Sequence, residues 1–334
     1  MPPTTGQLSP DGTSSFHGDW GWQRLWFSRA RVLELCRQHF AVEATGAILL
    51  ADGMLNQSWR IAADDHDRVL RIGRRERTAE QVAYERVAAR MWSAVVPQVV
   101  VAEYADVPVV DGRVLTLFPF IEGTSGSSVE APLRARNLAP PLARMHRVSL
   151  AVRLPQRPGF TAMDDHRPWF DWEHTRVAML ERFGHGPDVT GPIEVVDRAT
   201  AELDDLLDGW QRDGRLSDRA TVHGDLNPRN QLYRNGELVG IIDTDDCRVE
   251  PLVWDVANLA YSDAATSPTS VWTDYIDAGG PLEHGAQELL VHIARVGALT
   301  ELRWLTDDNG PTHLALDHLV GLAAQLTSGV HRDG

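Results

Sequence analysis

The dipeptide Asn235-Gly236 restricts the fold of this chain more than any other feature. A two-residue type I′ turn needs positive φ at both positions, which asparagine and glycine tolerate. The flanking runs 231–234 and 237–242 are strand-like, so they must fold back antiparallel. A hairpin of that length returns Asp243 to the side of Asn230. Asp225 lies five residues before Asn230, on a loop bent by Pro228. Three oxygen-bearing side chains, Asp225, Asn230 and Asp243, are thus expected to converge at one end of a two-stranded ribbon.

Such a set suits a hard divalent cation. Mg2+ takes oxygen ligands, usually one or two carboxylates plus substrate phosphates. Asn230 and Asp243 offer those oxygens, which leaves Asp225 to orient a hydroxyl and accept its proton. An aspartate, four residues, an asparagine and a second aspartate beyond a hairpin is also the spacing of the kinase catalytic loop. A turn rich in capping residues is the plainer reading of the same three positions. The triplet His223-Gly224-Asp225 carries little alone, because His17-Gly18-Asp19 repeats it with Arg24 where the asparagine should stand.

The rest of the chain divides by pattern. Residues 1–18 read as a mobile tail, followed by Trp20, Trp22 and Trp26 and a helical stretch over 28–40. Short β-type runs at 47–50, 58–62, 68–72, 98–103 and 113–118 surround one helix over about 79–92. Beyond a loop at 124–130, helical periodicity covers 131–149, 168–184, 192–212, 252–262, 284–306 and 312–327. A sheet lobe followed by a helical lobe is an α+β architecture. The expected organisation is a tail 1–18, an N-terminal lobe 19–118, a linker 119–123 and a helical lobe 124–334. That last lobe includes the loop 223–230 and the metal-binding segment 241–246.

Composition narrows the function. The chain of 334 residues has 32 basic and 47 acidic side chains, a formal charge of −15. That balance argues against nucleic acid and anionic membrane as partners and favours cationic small molecules. No apolar run is long enough to span a membrane, and no basic-then-apolar signal pattern opens the chain. With Cys36 and Cys247 the only cysteines, a disulfide framework is excluded and a cytoplasmic location is expected. All the basic residues are arginine, so no lysine is available for a Schiff base or a phosphate clamp.

The run His223-Gly224-Asp225-Leu226-Asn227-Pro228-Arg229-Asn230, then Ile241-Ile242-Asp243, then Trp254-Asp255-Val256-Ala257, resembles the aminoglycoside phosphotransferase family. That family belongs to the choline kinase and homoserine kinase-like group with the protein-kinase fold. The resemblance implies a two-lobed kinase that uses Mg2+ and passes the γ-phosphoryl of ATP or GTP to a hydroxyl of a small molecule. The implied acceptor is an aminoglycoside or another antibiotic or specialised metabolite. Choline, homoserine or a sugar is the alternative, and a nucleotide-binding pseudokinase is the alternative of another class. By the same resemblance Asp225 is the catalytic base, and Asn230 and Asp243 hold the metal.

In the sheet lobe, Arg71 occupies the place of the family's nucleotide-binding basic residue, where kinases generally use lysine. Its expected partner is Glu85, which interrupts an apolar stripe of Val82, Ala89 and Trp92, with Glu80 as runner-up. The turn 52–58 stands where a phosphate-covering loop belongs, with Asn56 and Ser58 as candidate contacts and an ordinary hairpin loop nearly as good a reading. Phe118, Phe120 and Ile121 belong to the implied interlobe linker and would meet the nucleotide base. His146 and His223 are read as structural, and Asp255 as a support for the catalytic loop. Asp245 and Asp246 could attract metal or substrate or form a solvated turn. Acid clusters at Asp164-Asp165, Asp171 and Glu173, Asp263, and Asp274 and Asp277 read first as solvated faces, and by the family resemblance as candidate contacts for a cationic substrate. A monomer or homodimer is expected.

Overall fold

The computed structural model describes residues 6–9, 11–18, 21–51, 56–163, 167–263, 265–302, 305 and 315–328, with the side chains of residues 21 and 22 left aside. Trp20, Asp19, most of the turn 52–58 and the pair Asp164-Asp165 lie outside the described residues. The chain forms two compact units. The first takes Met1–Val129 and Arg229–Asp245, and the second takes Glu130–Pro228 and Asp246–Gly334.

The first unit opens with strands β1 (Gln7–Leu8), β2 (Ser15–Gly18) and β3 (Gly21–Arg24), which pair antiparallel. This departs from the tail expected over 1–18. Phe16 is buried and belongs to the apolar cluster of the main sheet, so the segment is anchored by its own aromatic side chain. Helix α1 (Arg29–Phe40) starts at Ser28, whose side chain accepts the Arg31 N–H. There follow β4 (Ala44–Leu50), β5 (Gln57–Ala63), β6 (Arg68–Ile72), α2 (Ala79–Ser93), β7 (Val109–Val110) and β8 (Arg113–Pro119). The five strands form an antiparallel sheet in the order β4-β5-β6-β8-β7. Val32, Leu35, Cys36 and Phe40 of α1 pack with Leu49, Trp59, Ile61, Leu70, Ile72 and Leu117 of the sheet. A capping box of Thr78 and Gln81 starts α2.

The strand expected over 98–103 is not part of this sheet. Its backbone binds the later hairpin: Ile241 N–H donates to the Gln98 carbonyl (2.8 Å) and Val100 N–H donates to the Ile241 carbonyl (3.0 Å). The edge beside β8 is taken instead by β7.

After β9 (Thr124–Ser125) the chain enters the second unit with α3 (Ala131–Val152), α4 (Trp172–Phe183), α5 (Pro187–Arg212) and β10 (Arg219–Val222). It returns to the first unit for the hairpin β11 (Gln231–Arg234) and β12 (Glu237–Ile241), with β11 also pairing to β9. Thus the segment expected to belong wholly to the helical lobe is divided. Its hairpin adds to the sheet unit because β9 and Val99 supply its free edges.

The second unit resumes with β13 (Arg248–Pro251), which pairs antiparallel with β10, and with helices α6 (Val253–Ala260), α7 (Pro268–Asp277), α8 (Leu290–Leu299) and α9 (Leu316–Ser328). Helix α6 is buried on every side and packs against α7 and α8. The periodic stretch 284–306 is broken by 3-10 turns at His284–Leu289 and Thr300–Leu302. Helix α7 was not expected, although Ser267 caps it and Pro268 opens it. Its Ser, Val and Thr residues dilute the helical signal. Among the described residues no helix is long and apolar enough to cross a membrane.

Candidate active site

In the first unit, the turn between β11 and β12 has φ 54° at Asn235 and 81° at Gly236, as a type I′ turn requires. At the open end of the ribbon Ile242 N–H donates to the Asn230 carbonyl (2.9 Å), so Asn230 and Asp243 come together as the spacing predicts. Asp243 itself has φ 63°. Aspartate enters this region more readily than most side chains, but the conformation persists only where its surroundings hold it. The Asp243 side chain keeps 32% of its surface exposed while Oδ1 accepts a hydrogen bond from Arg71 Nη1 at 3.2 Å. The partly exposed Asp243 carboxylate and the buried Asn230 side-chain amide are a donor set that fits Mg2+. Among the described residues no group of three or more His, Cys, Asp or Glu offers another metal centre.

The alternation of β6 buries Arg68, Leu70 and Ile72 and turns Arg71 to the other face. Ser58 of β5 and Thr116 of β8 are its register partners, so Ser58, Arg71 and Thr116 form a row on one face of the sheet. Arg71 Nη1 also donates to Asp245 Oδ1 (2.5 Å). Burial disfavours the charged guanidinium, but Asp243 and Asp245 outweigh that and push its pKa up. For Asp245, burial pushes the pKa up, yet Arg71, Arg77 and the Asn56 amide hold it well below the usual carboxylate range.

The expected ion pair of Arg71 with Glu85 is corrected. Glu85 is buried, as its place in the apolar stripe of α2 implies, but the guanidinium it holds is that of Arg77. Arg77 grips Asp245 with both terminal nitrogens, Nη1 to Oδ2 and Nη2 to Oδ1, each at 2.7 Å. Asn56 joins the same cluster, its Nδ2 donating to Asp245 Oδ2 (2.6 Å). Sequence reasoning missed Arg77. The one available signal was the demand of a buried glutamate for a cation, and Arg77 is eight residues before Glu85.

Of the expected linker residues, Phe118 lies with this cluster, its ring centroid 5.3 Å from Arg71 Cζ. Phe120 stacks instead under Arg60, whose Cζ is 4.1 Å from the ring centroid, and its N–H donates to the Asp67 carbonyl. Ile121 packs beside Gly240 of β12, where an added Cβ would come within 3.5 Å of it.

In the second unit, the loop after β10 is fixed by Asp255. Asp255 Oδ2 accepts the His223 N–H (2.8 Å), Oδ1 accepts the Gly224 N–H (2.9 Å), and Trp254 Nε1 donates to the Gly224 carbonyl (3.1 Å). Asp255 is fully buried and lies in the first turn of α6. His146 stands between Asp255 Oδ2 (3.4 Å from Nε2) and the Tyr275 hydroxyl (2.8 Å from Nδ1). An ionised aspartate only accepts, so this arrangement suits the tautomer with the proton on Nε2 and the tyrosine as donor. Asp225 follows this clamp, half-buried, and its Oδ1 accepts from Asn227 Nδ2 (2.8 Å). Of the acidic positions, Glu173 pairs with Arg176 and Asp263 with Arg134.

The phosphotransferase enzyme family matches residues 47–289, the greater part of the chain and all the positions above. The chain belongs to this family. It is a small-molecule phosphotransferase acting on hydroxyls, with the kinase-like phosphotransferase fold. No curated protein matches it. Solved structures share the fold at low identity. The macrolide 2′-phosphotransferase of Brachybacterium faecium is 17% identical, with TM-score 0.58 over 90% of this chain and 97% of that one. Spectinomycin phosphotransferase, solved with ADP and spectinomycin, is 10% identical, with TM-score 0.63 over 91% of this chain and 99% of that one. A thermostable variant of an aminoglycoside phosphotransferase, solved with ADP and hygromycin B, is 16% identical, with TM-score 0.56 over 90% and 99%.

Proposed function

We propose that this phosphotransferase is an ATP-dependent kinase for a hydroxyl of an antibiotic or a related specialised metabolite. The observation that carries the reading is the ribbon end, where Asn230 is bonded to Ile242 next to Asp243, with the largely covered Arg71 bonded to that aspartate. Asp225 orients the acceptor hydroxyl and takes its proton as the oxygen attacks the γ-phosphorus, and the bond from that phosphorus to the leaving diphosphate oxygen breaks. Asn230 and Asp243 would hold Mg2+, which when bound supplies charge neutralisation at the phosphate oxygens. Arg71 supplies a forked cation for the same oxygens. ATP is the preferred donor because related folds were solved with ADP. Antibiotic acceptors are preferred because the same structures hold spectinomycin and hygromycin B.

A nucleotide-consumption assay with ATP and Mg2+ tests the reading across macrolides, aminoglycosides, spectinomycin, choline, homoserine and sugars, with product masses checked for one added phosphate. The expected result is a phosphorylated antibiotic whose formation is lost in Asp225→Ala. Phosphorylation of choline, homoserine or a sugar alone would move the enzyme into primary metabolism. Nucleotide binding with no turnover of any acceptor would favour a binding role.

A further inference from the structure

In the general kinase pattern a strand lysine pairs directly with a helix glutamate, close to a metal-holding aspartate. Here the corresponding chain of charges is longer. Glu85 of α2 holds Arg77, Arg77 grips Asp245 through both nitrogens, Asp245 accepts from Arg71, and Arg71 reaches Asp243. The side chains of Arg71 and Arg77 are 11% and 6% exposed, and that of Asp245 is 17% exposed. Buried charges of this kind need partners of opposite sign, which both terminal nitrogens of Arg77 have while its Nε is buried without one among the described residues.

The chemistry explains why an added pair belongs here. A guanidinium has five N–H donors in a fixed fork, whereas an ammonium has three that turn freely. Arginine in place of lysine on β6 therefore calls for a further acceptor, and Asp245 Oδ1 provides it at 2.5 Å. That aspartate would in turn add an uncompensated buried negative charge, which Arg77 balances. A lysine, a glutamate and an aspartate carry one net negative charge. Arg71 and Arg77 with Glu85, Asp243 and Asp245 also carry one, so the charge offered to a metal–nucleotide complex is preserved. Asn56, within the turn 52–58 expected to cover the phosphates, is bonded to Asp245 Oδ2 at 2.6 Å.

We propose that Arg77 and Asp245 are positioning residues that bridge Glu85 to Arg71, and so set the Arg71 guanidinium for the phosphates of the nucleotide. This rests on the nucleotide-dependent reading of the site. The bridge makes α2, through Glu85, the element that determines where the phosphate-binding cation stands. Asp245 is in this role an acceptor for arginines rather than a ligand for metal.

The test is calorimetric binding of the Mg2+ complex of AMP-PNP and, separately, of adenosine, to the full chain and its variants. Arg77→Gln and Asp245→Asn should each weaken AMP-PNP about tenfold or more, the loss expected for a charge-assisted hydrogen bond, and leave adenosine binding within about twofold. Because the two residues are links of one bridge, the double variant should be no worse than the weaker single variant. Arg77→Lys should recover part of the loss, since it restores the charge but not the fork. If Arg77→Gln does not fold, Glu85→Gln takes its place with the same expectation. A folded Arg77→Gln, or Glu85→Gln in its place, that binds AMP-PNP like wild type overturns the proposal. So does an equal loss for adenosine and AMP-PNP, which marks general damage, or a double variant whose loss is the product of the single ones. Wild-type protein that binds no nucleotide removes the kinase reading and the bridge with it.

Discussion

Asp255 and Gly224 are joined by a hydrogen bond from the glycine N–H to the aspartate Oδ1, 2.9 Å long and buried. With the His223 N–H on Oδ2, one carboxylate meets two successive loop amides. In Asp255→Asn one of those amides faces an NH2 group instead of an oxygen. We expect a loss of about 1–3 kcal/mol in stability, the range for leaving a buried donor unsatisfied. Turnover should fall as well, since Asp225 is the next residue. Denaturant unfolding checks the first, and an unchanged midpoint would refute the clamp.

The pH dependence of stability follows from the same carboxylate. Burial pushes Asp255 up, but the hydrogen bonds from His146 and the Gly224 amide contribute to holding its pKa below the ordinary aspartate value. A group whose pKa is depressed on folding stabilises the native state above its unfolded value, and that contribution is lost as pH falls through the folded value. The difference in stability between wild type and Asp255→Asn should be complete at about pH 6 and shrink below about pH 4, the unfolded aspartate value. A difference that stays constant into acid would show that the carboxylate charge is not what matters.

Gly224 is the second half of the clamp. Its φ is 86°, and a Cβ there would lie 2.3 Å from the Asp246 carbonyl oxygen. The obstacle is backbone, which cannot swing away. Gly224→Ala should therefore destabilise by more than the ~1–3 kcal/mol of a strained left-handed residue alone. Its thermal midpoint, compared with that of Gly191→Ala, where nothing lies within 4 Å of the added Cβ and φ is not positive, separates this clash from the general effect of the change.

The sequence made the ribbon legible because the turn type forces it: Asn235-Gly236 admits few other conformations, and counting residues along two strands then brings Asn230 to Asp243. Arg71 was readable only through the family resemblance, and Glu85 from its conflict with an apolar stripe. The bridge between them was not readable. Arg77 meets Asp245 across 168 residues of sequence, and no local periodicity encodes a contact at that distance. The run 98–103 failed for a related reason. Its continuous apolar run does pair with a strand, but among the described residues its one bridge is from Val99 to Ile241 of the later hairpin, and only the Glu103 N–H reaches β8. The tail reading failed at Phe16, where one buried aromatic outweighs a polar composition.

Asp225 is expected to act on the acceptor, not to hold the fold. It is half-buried, and its Oδ1 accepts from Asn227 Nδ2 two residues on. Asp225→Ala should lower kcat by about 10²–10⁴, the usual worth of a general base, with the unfolding midpoint nearly unchanged. Rapid turnover in a folded Asp225→Ala protein would reassign the proton to another group.

Asp243→Asn isolates charge from shape. Position 243 has φ 63°, and asparagine is among the few residues that enter this region readily, so the backbone should be retained where alanine would add strain. Two consequences pull in opposite directions. The metal loses its expected carboxylate, so affinity for the Mg2+–ATP complex should fall about tenfold or more. Arg71 loses one of its two carboxylates and becomes more available to phosphate oxygens, so affinity for ATP with a chelator present should stay level or rise. Calorimetry with and without Mg2+ reads both signs on one protein. Parallel losses under the two conditions would mean that Asp243 serves the shape of the ribbon rather than the metal.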